Sequence, residues 1–189
     1  MSSELGRLIV VSGPTASGKS TLWHGLVQRS TVDFSVSATT RAPREGEKDG
    51  YDYHFVSEEQ FQKWVEGGAF LEYAEVHGKH YGTLRKHVEA SLAKGHDIVL
   101  EIDVQGAQQL KNCDLPIISI FVQPPSLEVL RQRLRDRGTE TEEQMNLRLA
   151  VVEKEMTFAK DYMFQVINDD FSRMETEVEG ILGYTKENA

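Results

Sequence analysis

Short apolar runs alternate with amphipathic segments at both ends of the chain. Strands that are buried on both faces are predicted at residues 8–12, 97–103, 116–122 and 164–168. Apolar residues three and four positions apart follow these runs. They predict helices that begin near residues 19, 106, 126, 141 and 171. Strands that alternate with helices are typical of an α/β fold, so we predict a parallel sheet with helices on both faces.

The middle of the chain has a different pattern, in which apolar and polar positions alternate. Strands with one solvated face are predicted at 34–40, 51–56 and 70–76. A cap-like Ser57 predicts a helix between the last two. Residues 77–80 are predicted as a turn, and residues 84–94 as a helix. Together they predict a small mixed or antiparallel sheet inserted into the α/β core.

The stretch Gly13-Pro-Thr-Ala-Ser-Gly-Lys-Ser20 lies between the first predicted strand and the first predicted helix. Its spacing is the P-loop pattern. The glycines let backbone N–H groups turn toward phosphate oxygens, and the helix N-terminus adds positive potential there. Lys19 can reach the outer phosphates, and the Ser20 hydroxyl can hold Mg²⁺. An ordinary glycine-rich turn explains the glycines but not Lys19 and Ser20, so we predict a nucleotide phosphate site.

Composition narrows the possible partners and the compartment. The 189 residues suit one domain, and the net charge of −9 argues against binding nucleic acid through a basic face. Cys113 is the only cysteine, which excludes an intramolecular disulfide. No apolar run has the length of a membrane span, and no signal-peptide core precedes the first strand. We therefore expect a reduced, cytoplasmic protein without a membrane partner; the number of subunits stays open.

Two acidic residues end the second apolar strand. Glu101 and Asp103 should lie at the same sheet edge as the P-loop, because ligands of α/β sheets bind beyond the carboxyl ends of the strands. A carboxylate at this edge commonly supports Mg²⁺, directly or through water. Spacing alone leaves open which of them serves the metal.

The inserted segment carries a candidate site for a second phosphate. Arg41 and Arg44 lie in a glycine-flanked loop, and Tyr53 and Tyr81 are candidate neighbours. Guanidinium groups bind phosphate with two parallel hydrogen bonds, which phenolic hydroxyls can supplement. Taken singly, such arginines are mostly solvated, but beside a P-loop they favour a phosphate acceptor.

A second group of arginines falls on the predicted helices after residue 126. Its members are Arg131, Arg133, Arg135, Arg137 and Arg148. One interpretation is pairing with acidic neighbours on the helix surface, which we expect for Arg131 and Arg135. The other is a mobile flap whose arginines neutralise charge on a transferring phosphoryl group.

Taken together, these stretches resemble the guanylate kinase family over nearly the whole chain. The matching stretches are 12–21, 37–47, 50–56, 70–72, 81–83, 101–107, 124–126, 133–143 and 166–170. Each match is modest, but their order and spacing are specific. The resemblance implies a P-loop NTPase-type core (about 1–35, 87–126 and 158–189), a GMP-binding insert (about 36–86) and a helical lid (about 127–157), all within one domain.

The resemblance also implies an activity and its residues. The activity is transfer of the ATP γ-phosphoryl group to GMP, with Mg²⁺. The ATP-binding residues would be Gly13, Pro14, Thr15, Ala16, Ser17, Gly18, Lys19, Ser20, Thr21 and, near adenine, Asn168. The GMP-binding residues would be Arg41, Arg44, Tyr53 and Tyr81 at the phosphate, Ser37, Glu72, Thr83 and Asp103 at guanine, and Glu47. The catalytic residues would be Lys19, Arg41, Arg133, Arg137 and Arg148.

The physical chemistry of guanine agrees with this assignment. Guanine N1 and N2 carry N–H donors, which suit carboxylates such as Glu72 and Asp103, and its O6 and N7 accept from hydroxyls such as Ser37 and Thr83. Adenine would leave a buried carboxylate unpaired, and such sites reject the wrong analogue by roughly 10⁴–10⁵. The acceptor phosphate is already ionised, so no general base is needed.

The sequence departs from the family at the P-loop, where Ala16 stands in place of the usual glycine. The methyl group costs little unless residue 16 needs a positive φ. Two rival functions stay open from the sequence. One is a non-catalytic guanylate-kinase-like module that binds phosphorylated peptides, against which Lys19 and Ser20 argue. The other is a kinase for another nucleoside monophosphate or small phosphate acceptor.

Overall fold

The computed structural model describes residues 5–76, 78–137 and 141–184; the side chain of Arg137 lies outside what it describes. The strands are β1 (Leu8–Ser12), β2 (Val32–Phe34), β3 (Ala38–Thr39), β4 (His54–Phe55), β5 (Phe70–Val76), β6 (Lys79–Leu84), β7 (Asp97–Glu101), β8 (Ile117–Gln123) and β9 (Phe164–Ile167). The helices are α1 (Lys19–Leu26), α2 (Glu58–Glu66), α3 (Arg85–Ala93), α4 (Val104–Gln109), α5 (Leu127–Arg137), α6 (Glu142–Met156) and α7 (Phe171–Leu182).

The predicted parallel sheet is confirmed. Five strands lie in the order β2-β7-β1-β8-β9, and every pair is parallel. Apolar side chains of α1 and α7 pack on one face of this sheet, and those of α3 and α4 on the other. All five residues of β1 are buried, so the loop that follows this strand starts from the centre of the core.

The inserted sheet is mixed rather than purely antiparallel. Its order is β4-β3-β6-β5, and β3 pairs with β4 in parallel. The predicted strand 34–40 divides between the two sheets, because residues 32–34 pair with β7 and residues 38–39 pair with β6. The predicted strand 51–56 is reduced to β4.

The prediction for residues 77–84 was wrong in part. Residues 79–84 form β6, which pairs along the length of β5 instead of leading directly from a turn into a helix. Pairing between distant residues is not visible in a local pattern, and β6 contains His80, Tyr81 and Gly82, which form no apolar alternation.

Helices α5 and α6 form the region predicted as a lid. Their buried residues Leu130, Leu134, Met145 and Val152 form one cluster, which also contains Ala16 of the P-loop. Thr141 begins α6 with a complete capping box. Leu127, the first residue of α5, is 39% exposed.

Candidate active site

The P-loop joins β1 to α1 through residues whose backbone needs glycine. Gly13 has a φ of 143°, and a side chain there would lie 2.2 Å from the Val122 carbonyl oxygen. Gly18 has a φ of 102°, and a side chain there would lie 2.0 Å from the Asn168 amide nitrogen. Both positions combine positive φ with a close approach of neighbouring atoms, so the loop can curl only with glycine at each.

Ala16 is the one described non-glycine residue with positive φ, at 58°. The condition under which this alanine costs stability is therefore met, because the left-handed region is unfavourable for residues with a Cβ. Its methyl group is buried and packs in the cluster that α5 and α6 form. This contact offsets part of the strain and joins the loop to the two helices.

Lys19 and Ser20 stand at the first turn of α1. Lys19 Nζ donates to the carbonyl oxygens of Gly13 at 2.6 Å and Pro14 at 2.8 Å, so the ammonium lies over the loop itself. The Ser20 hydroxyl donates to both carboxylate oxygens of Glu101, at 3.2 and 3.1 Å. Trp23 Nε1 donates to the same carboxylate at 2.6 Å.

The two acids after β7 have separate surroundings. Glu101, not Asp103, contacts the hydroxyl of Ser20. Asp103 instead caps α4 by accepting from the Gly106 backbone N–H at 2.9 Å, and its second oxygen accepts from Gln105 at 3.0 Å. The sequence had predicted that this helix begins near residue 106. Because of this cap, α4 begins at Val104 instead.

Glu72 and Thr83 form a buried pair on adjacent strands of the insert. Glu72 is 4% exposed, and it accepts a hydrogen bond of 2.6 Å from the Thr83 hydroxyl. Its second oxygen would lie 2.2 Å from a Cβ placed on Gly106, and Asp103 would lie 3.4 Å from the same point. Glu72 and Asp103 therefore approach each other at the first turn of α4.

Burial dominates the ionisation of Glu72. Removal of its carboxylate from water is the largest effect, the Thr83 hydrogen bond opposes it, and the negative charge of Asp103 adds to it, so that the pKa is raised to about 7. Buried acids whose pKa lies near 7 are common in ligand sites. Glu72 is suited to accept hydrogen bonds from N–H donors of a ligand.

Arg41 lies among aromatic rings of the insert. Its guanidinium donates to Glu47 at 2.8 Å and lies 5.4 Å from the centre of the Tyr53 ring. Tyr53 and Tyr81 meet edge to face at 5.9 Å. Burial raises the pKa of Tyr53, and the negative charge of Glu101 raises it further.

The remaining predicted residues of the insert are less enclosed. Arg44 is exposed, and its backbone N–H donates to Glu47 at 2.7 Å. The Arg41 hydrogen bond and this second donor together lower the pKa of Glu47. Ser37 is half-buried, and its backbone carbonyl accepts from the His54 N–H at 2.9 Å. The structure thus brings Arg41, Tyr53 and Tyr81 together and leaves the Arg44 side chain at the surface.

Helix α5 contacts the P-loop through Arg133. Its guanidinium donates to the Asn168 carbonyl at 2.8 Å and, more weakly, to the Ala16 carbonyl at 3.4 Å. Asn168 is 7% exposed, and its amide donates to the Ser17 carbonyl at 2.8 Å. Arg148 is half-buried on α6. Arg135 pairs with Glu142, as expected for a surface arginine, whereas Arg131 donates to Asn146 rather than to an acid.

Comparison with known proteins decides the family. The guanylate kinase family model matches residues 5–184. The chain belongs to the guanylate kinase family. It is 44% identical over 182 residues to a guanylate kinase of Clostridioides difficile, covering 96% of this chain and 89% of that protein. It is 46% identical over 177 residues to one of Alkalilimnicola ehrlichii, covering 93% and 87%.

A solved guanylate kinase has the same fold. The crystal structure of guanylate kinase from Anaplasma phagocytophilum superposes with a TM-score of 0.78 at 35% identity, covering 95% of this chain and 86% of that one. The predictions of the guanylate kinase family, of a P-loop α/β fold and of an enzyme are confirmed.

Sequence reasoning missed three residues of this guanylate kinase site. Trp23 follows Ser20 by three positions, so both project from one side of α1. Gly106 gives Glu72 room to approach α4. Glu155 lies two turns after Arg148 on α6; burial raises its pKa, and the positive charge of Lys19 opposes this rise. Helical spacing could have identified Trp23 and Glu155, whereas the role of Gly106 needs coordinates.

The described residues offer Mg²⁺ few protein ligands. Over residues 5–76, 78–137 and 141–184 no group of three or more His, Cys, Asp or Glu side chains could hold a metal ion. Mg²⁺ commonly keeps waters and binds substrate phosphates with only one or two protein oxygens. The Ser20 hydroxyl and the Glu101 carboxylate are hard oxygen donors of this kind, so they fit the ion.

In the same part of the chain, no helix is both long and apolar enough to cross a membrane.

Proposed function

We propose that this site transfers the γ-phosphoryl group of ATP to GMP, giving ADP and GDP, with Mg²⁺ as the cofactor. As a member of the guanylate kinase family, the chain is a nucleoside monophosphate kinase, and ATP-dependent phosphorylation of GMP is the reaction of that family. A reduced, cytoplasmic location and the absence of a nucleic-acid partner stay predictions from the sequence.

The buried pair of Glu72 and Thr83 is the observation that carries the choice of acceptor. Glu72 approaches Asp103 while Thr83 holds one of its oxygens at 2.6 Å. Two carboxylates on one side of a base suit the N1 and N2 donors of guanine. Ser37 would be a hydroxyl donor to O6 or N7, and Thr83 would be a second one only if its hydrogen turned from Glu72 to guanine. Adenine has an acceptor at N1 and no N2 donor, so a buried carboxylate facing it would be unpaired, which is costly.

Arg41 is the best-supported ligand of the GMP phosphate. Its guanidinium lies beside Tyr53, and the ring of Tyr53 meets that of Tyr81 edge to face. Bidentate binding of phosphate by Arg41, with hydroxyls of Tyr53 and Tyr81, would direct the acceptor oxygen toward the ATP side. Arg44 and Glu47 belong to the same loop, and the exposed Arg44 would need to turn inward when GMP binds.

The P-loop is proposed to hold the ATP phosphates. The curled backbone between Gly13 and Gly18 forms a nest at the N-terminus of α1, which favours anionic oxygens. Lys19 now contacts loop carbonyls, and a phosphate oxygen would replace those contacts. Ser20 and Glu101 are the residues that would hold Mg²⁺, which supplies charge neutralisation at the phosphates when it is bound. Pro14, Thr15, Ser17 and Thr21 complete this segment.

The acceptor oxygen of GMP is already ionised, so the site needs positioning and charge neutralisation rather than a base. Arg133 and Arg148 of the lid, with Arg137, would act on the transferring phosphoryl group. Arginines in this role contribute roughly 10³–10⁵ in rate. Arg133 already reaches the P-loop at the Ala16 carbonyl, which supports its place at the ATP phosphates, and Asn168 stays the predicted neighbour of adenine.

We further propose that the chain works in three parts: a core, the insert (about 36–86) and the lid (about 127–157). Closure of the insert and lid over both nucleotides would exclude water that could otherwise accept the phosphoryl group. Small-angle scattering with and without a bisubstrate ligand tests this closure. Identical profiles would contradict it.

A coupled assay with ATP and GMP tests the function directly. ADP should form when GMP is the acceptor. The assay is then repeated with dGMP, AMP and UMP. For AMP and UMP, kcat/KM should be at least about 10⁴ times lower than for GMP. Absence of ADP production would favour a binding module, and a preference for AMP or UMP would favour another nucleoside monophosphate kinase.

A further inference from the structure

Two hydrogen-bond donors converge on one oxygen of Glu101. Trp23 Nε1 donates to Oε2 at 2.6 Å, and the Ser20 hydroxyl donates to the same oxygen at 3.1 Å. Hydrogen bonds to a carboxylate are short and about twice as strong as those between neutral groups. Of the two hydrogen bonds that orient Glu101, the one from the indole is the shorter.

The indole ring itself is fixed by stacking. Its centre lies 3.7 Å from that of Phe34, and the two ring planes differ by only 13°. The His24 ring stacks at 3.6 Å. Phe34 ends β2, and Trp23 lies on α1, so the ring is held between the P-loop helix and the sheet. Its N–H is directed along the ring plane, and Glu101 lies in that direction.

We propose that Trp23 is a positioning residue, which holds Glu101 in the orientation that supports Mg²⁺ at Ser20. This inference rests on the proposed function of the site. A glutamate side chain has several rotamers, and restricting it to one costs entropy unless neighbours hold it. Partners that orient the groups around a metal ion commonly change metal affinity 10–100-fold when they are removed.

The alternative is that Trp23 serves only as packing for Phe34. Phenylalanine at position 23 would keep a ring for that stack and lose the N–H donor. A packing role would thus tolerate Trp23→Phe, whereas a positioning role would not. The second tryptophan, Trp64, packs edge to face on Phe70 at 5.9 Å in the insert, which makes Trp64→Phe the matched control.

The test measures ADP binding by calorimetry over a series of Mg²⁺ concentrations and again in EDTA. In Trp23→Phe the Mg²⁺ concentration for half-maximal enhancement of ADP binding should rise roughly tenfold. ADP affinity in EDTA should stay unchanged, and Trp64→Phe should match the parent in both. Unchanged Mg²⁺ dependence in Trp23→Phe, or an equal loss with and without Mg²⁺, would overturn the inference.

A second measurement does not depend on the folding of Trp23→Phe. In Trp64→Phe, Trp23 is the only tryptophan. Adding Mg²⁺ to the ADP complex of this variant should change its fluorescence emission, because the carboxylate that accepts from the indole gains a cation nearby. Emission that does not respond to Mg²⁺ would overturn the inference. The ATP and GMP assay of the parent protein is separate, so failure here leaves the proposed function standing.

Discussion

The hydroxyl of Thr83 donates to the carboxylate of Glu72 at 2.6 Å, and both side chains are almost completely buried. The pair joins β5 to β6, and its second carboxylate oxygen is directed at the first turn of α4. A buried acid with one strong donor has acceptor capacity left over, which we assign to guanine.

Glu72→Gln should raise KM for GMP by about 100-fold while KM for ATP changes little. The amide can still accept from Thr83, but its NH₂ group would oppose a guanine N–H donor. Steady-state kinetics with each nucleotide varied in turn measures the split. Glu75→Gln is the matched control, because Glu75 is exposed on the same strand. Equal changes in both KM values would contradict the placement of Glu72 at guanine.

The ionisation of Glu72 adds a stability test of the same variant. Its pKa rises from 4.5 to about 7 on folding, so the native state binds more protons between these values. This contribution to stability is complete below pH 4.5 and is lost as the pH rises through 7. At pH 8, the free energy of unfolding of Glu72→Gln should therefore exceed that of the parent by up to roughly 3 kcal/mol. Denaturant unfolding measures this difference. The two proteins should converge near pH 4.5; a constant difference across this range would refute the shift.

Gly106→Ala should impair use of GMP through Glu72. The new Cβ would lie 2.2 Å from Glu72 Oε2, so the carboxylate must move while α4 itself can accept alanine. We expect a loss of roughly 10–100-fold in kcat/KM for GMP, as misplacement by about 1 Å produces. Gly180→Ala in α7 is the control, since nothing lies within 4 Å of its Cβ. Normal use of GMP by a folded Gly106→Ala protein would exclude the close approach.

Lys19→Ala should reduce kcat by roughly 10²–10³ or more, the loss typical of a charge-stabilising donor, and leave the fold intact. In the structure, Lys19 Nζ donates to carbonyl oxygens of its own loop. When the side chain is shortened, water can donate to these oxygens instead, so the fold should not need the lysine. Circular dichroism and steady-state kinetics provide the measurement. Lys63→Ala, which removes an exposed i,i+4 pair with Glu59, should retain full activity. Near-normal turnover in folded Lys19→Ala would remove the lysine from the mechanism.

Particular residues show how far the sequence could predict this structure. The apolar runs of β1, β7 and β8 predicted the parallel sheet, because strands buried on both faces have no polar alternation. The P-loop was predictable because its spacing follows from backbone geometry. The irregularity between Phe70 and Glu72 was not. This bulge buries three successive residues of β5, and it depends on pairing with β6, which is distant information.

The candidate site shows the same division. Glu101 and Asp103 were both predicted at the sheet edge, but strand spacing could not show which carboxylate contacts the Ser20 hydroxyl. The choice followed from α4, which begins directly after Asp103 and uses its carboxylate as a cap. The cluster of Arg41, Tyr53 and Tyr81 was predictable in its composition, whereas the outward position of Arg44 depends on loop conformation.

Ala16 provides the last prediction, because two effects on stability oppose each other there. Ala16→Gly relieves a left-handed conformation that costs roughly 1–2 kcal/mol with a Cβ. It also removes a buried methyl worth about 0.8 kcal/mol and adds roughly 0.4–1 kcal/mol of unfolded-state entropy. The net change in unfolding free energy should therefore stay within about 1 kcal/mol.

Ala16→Val separates the two effects, since a β-branched residue is more strained at positive φ and also overfills the contact with Leu130 and Leu134. It should lose at least about 2 kcal/mol in urea unfolding. A glycine variant that is destabilised as strongly as the valine variant would mean that packing against α5 and α6 outweighs backbone strain. If only the valine variant is destabilised, the lost packing of the alanine methyl is balanced by relief of backbone strain, and the loop retains its shape with either small residue at position 16.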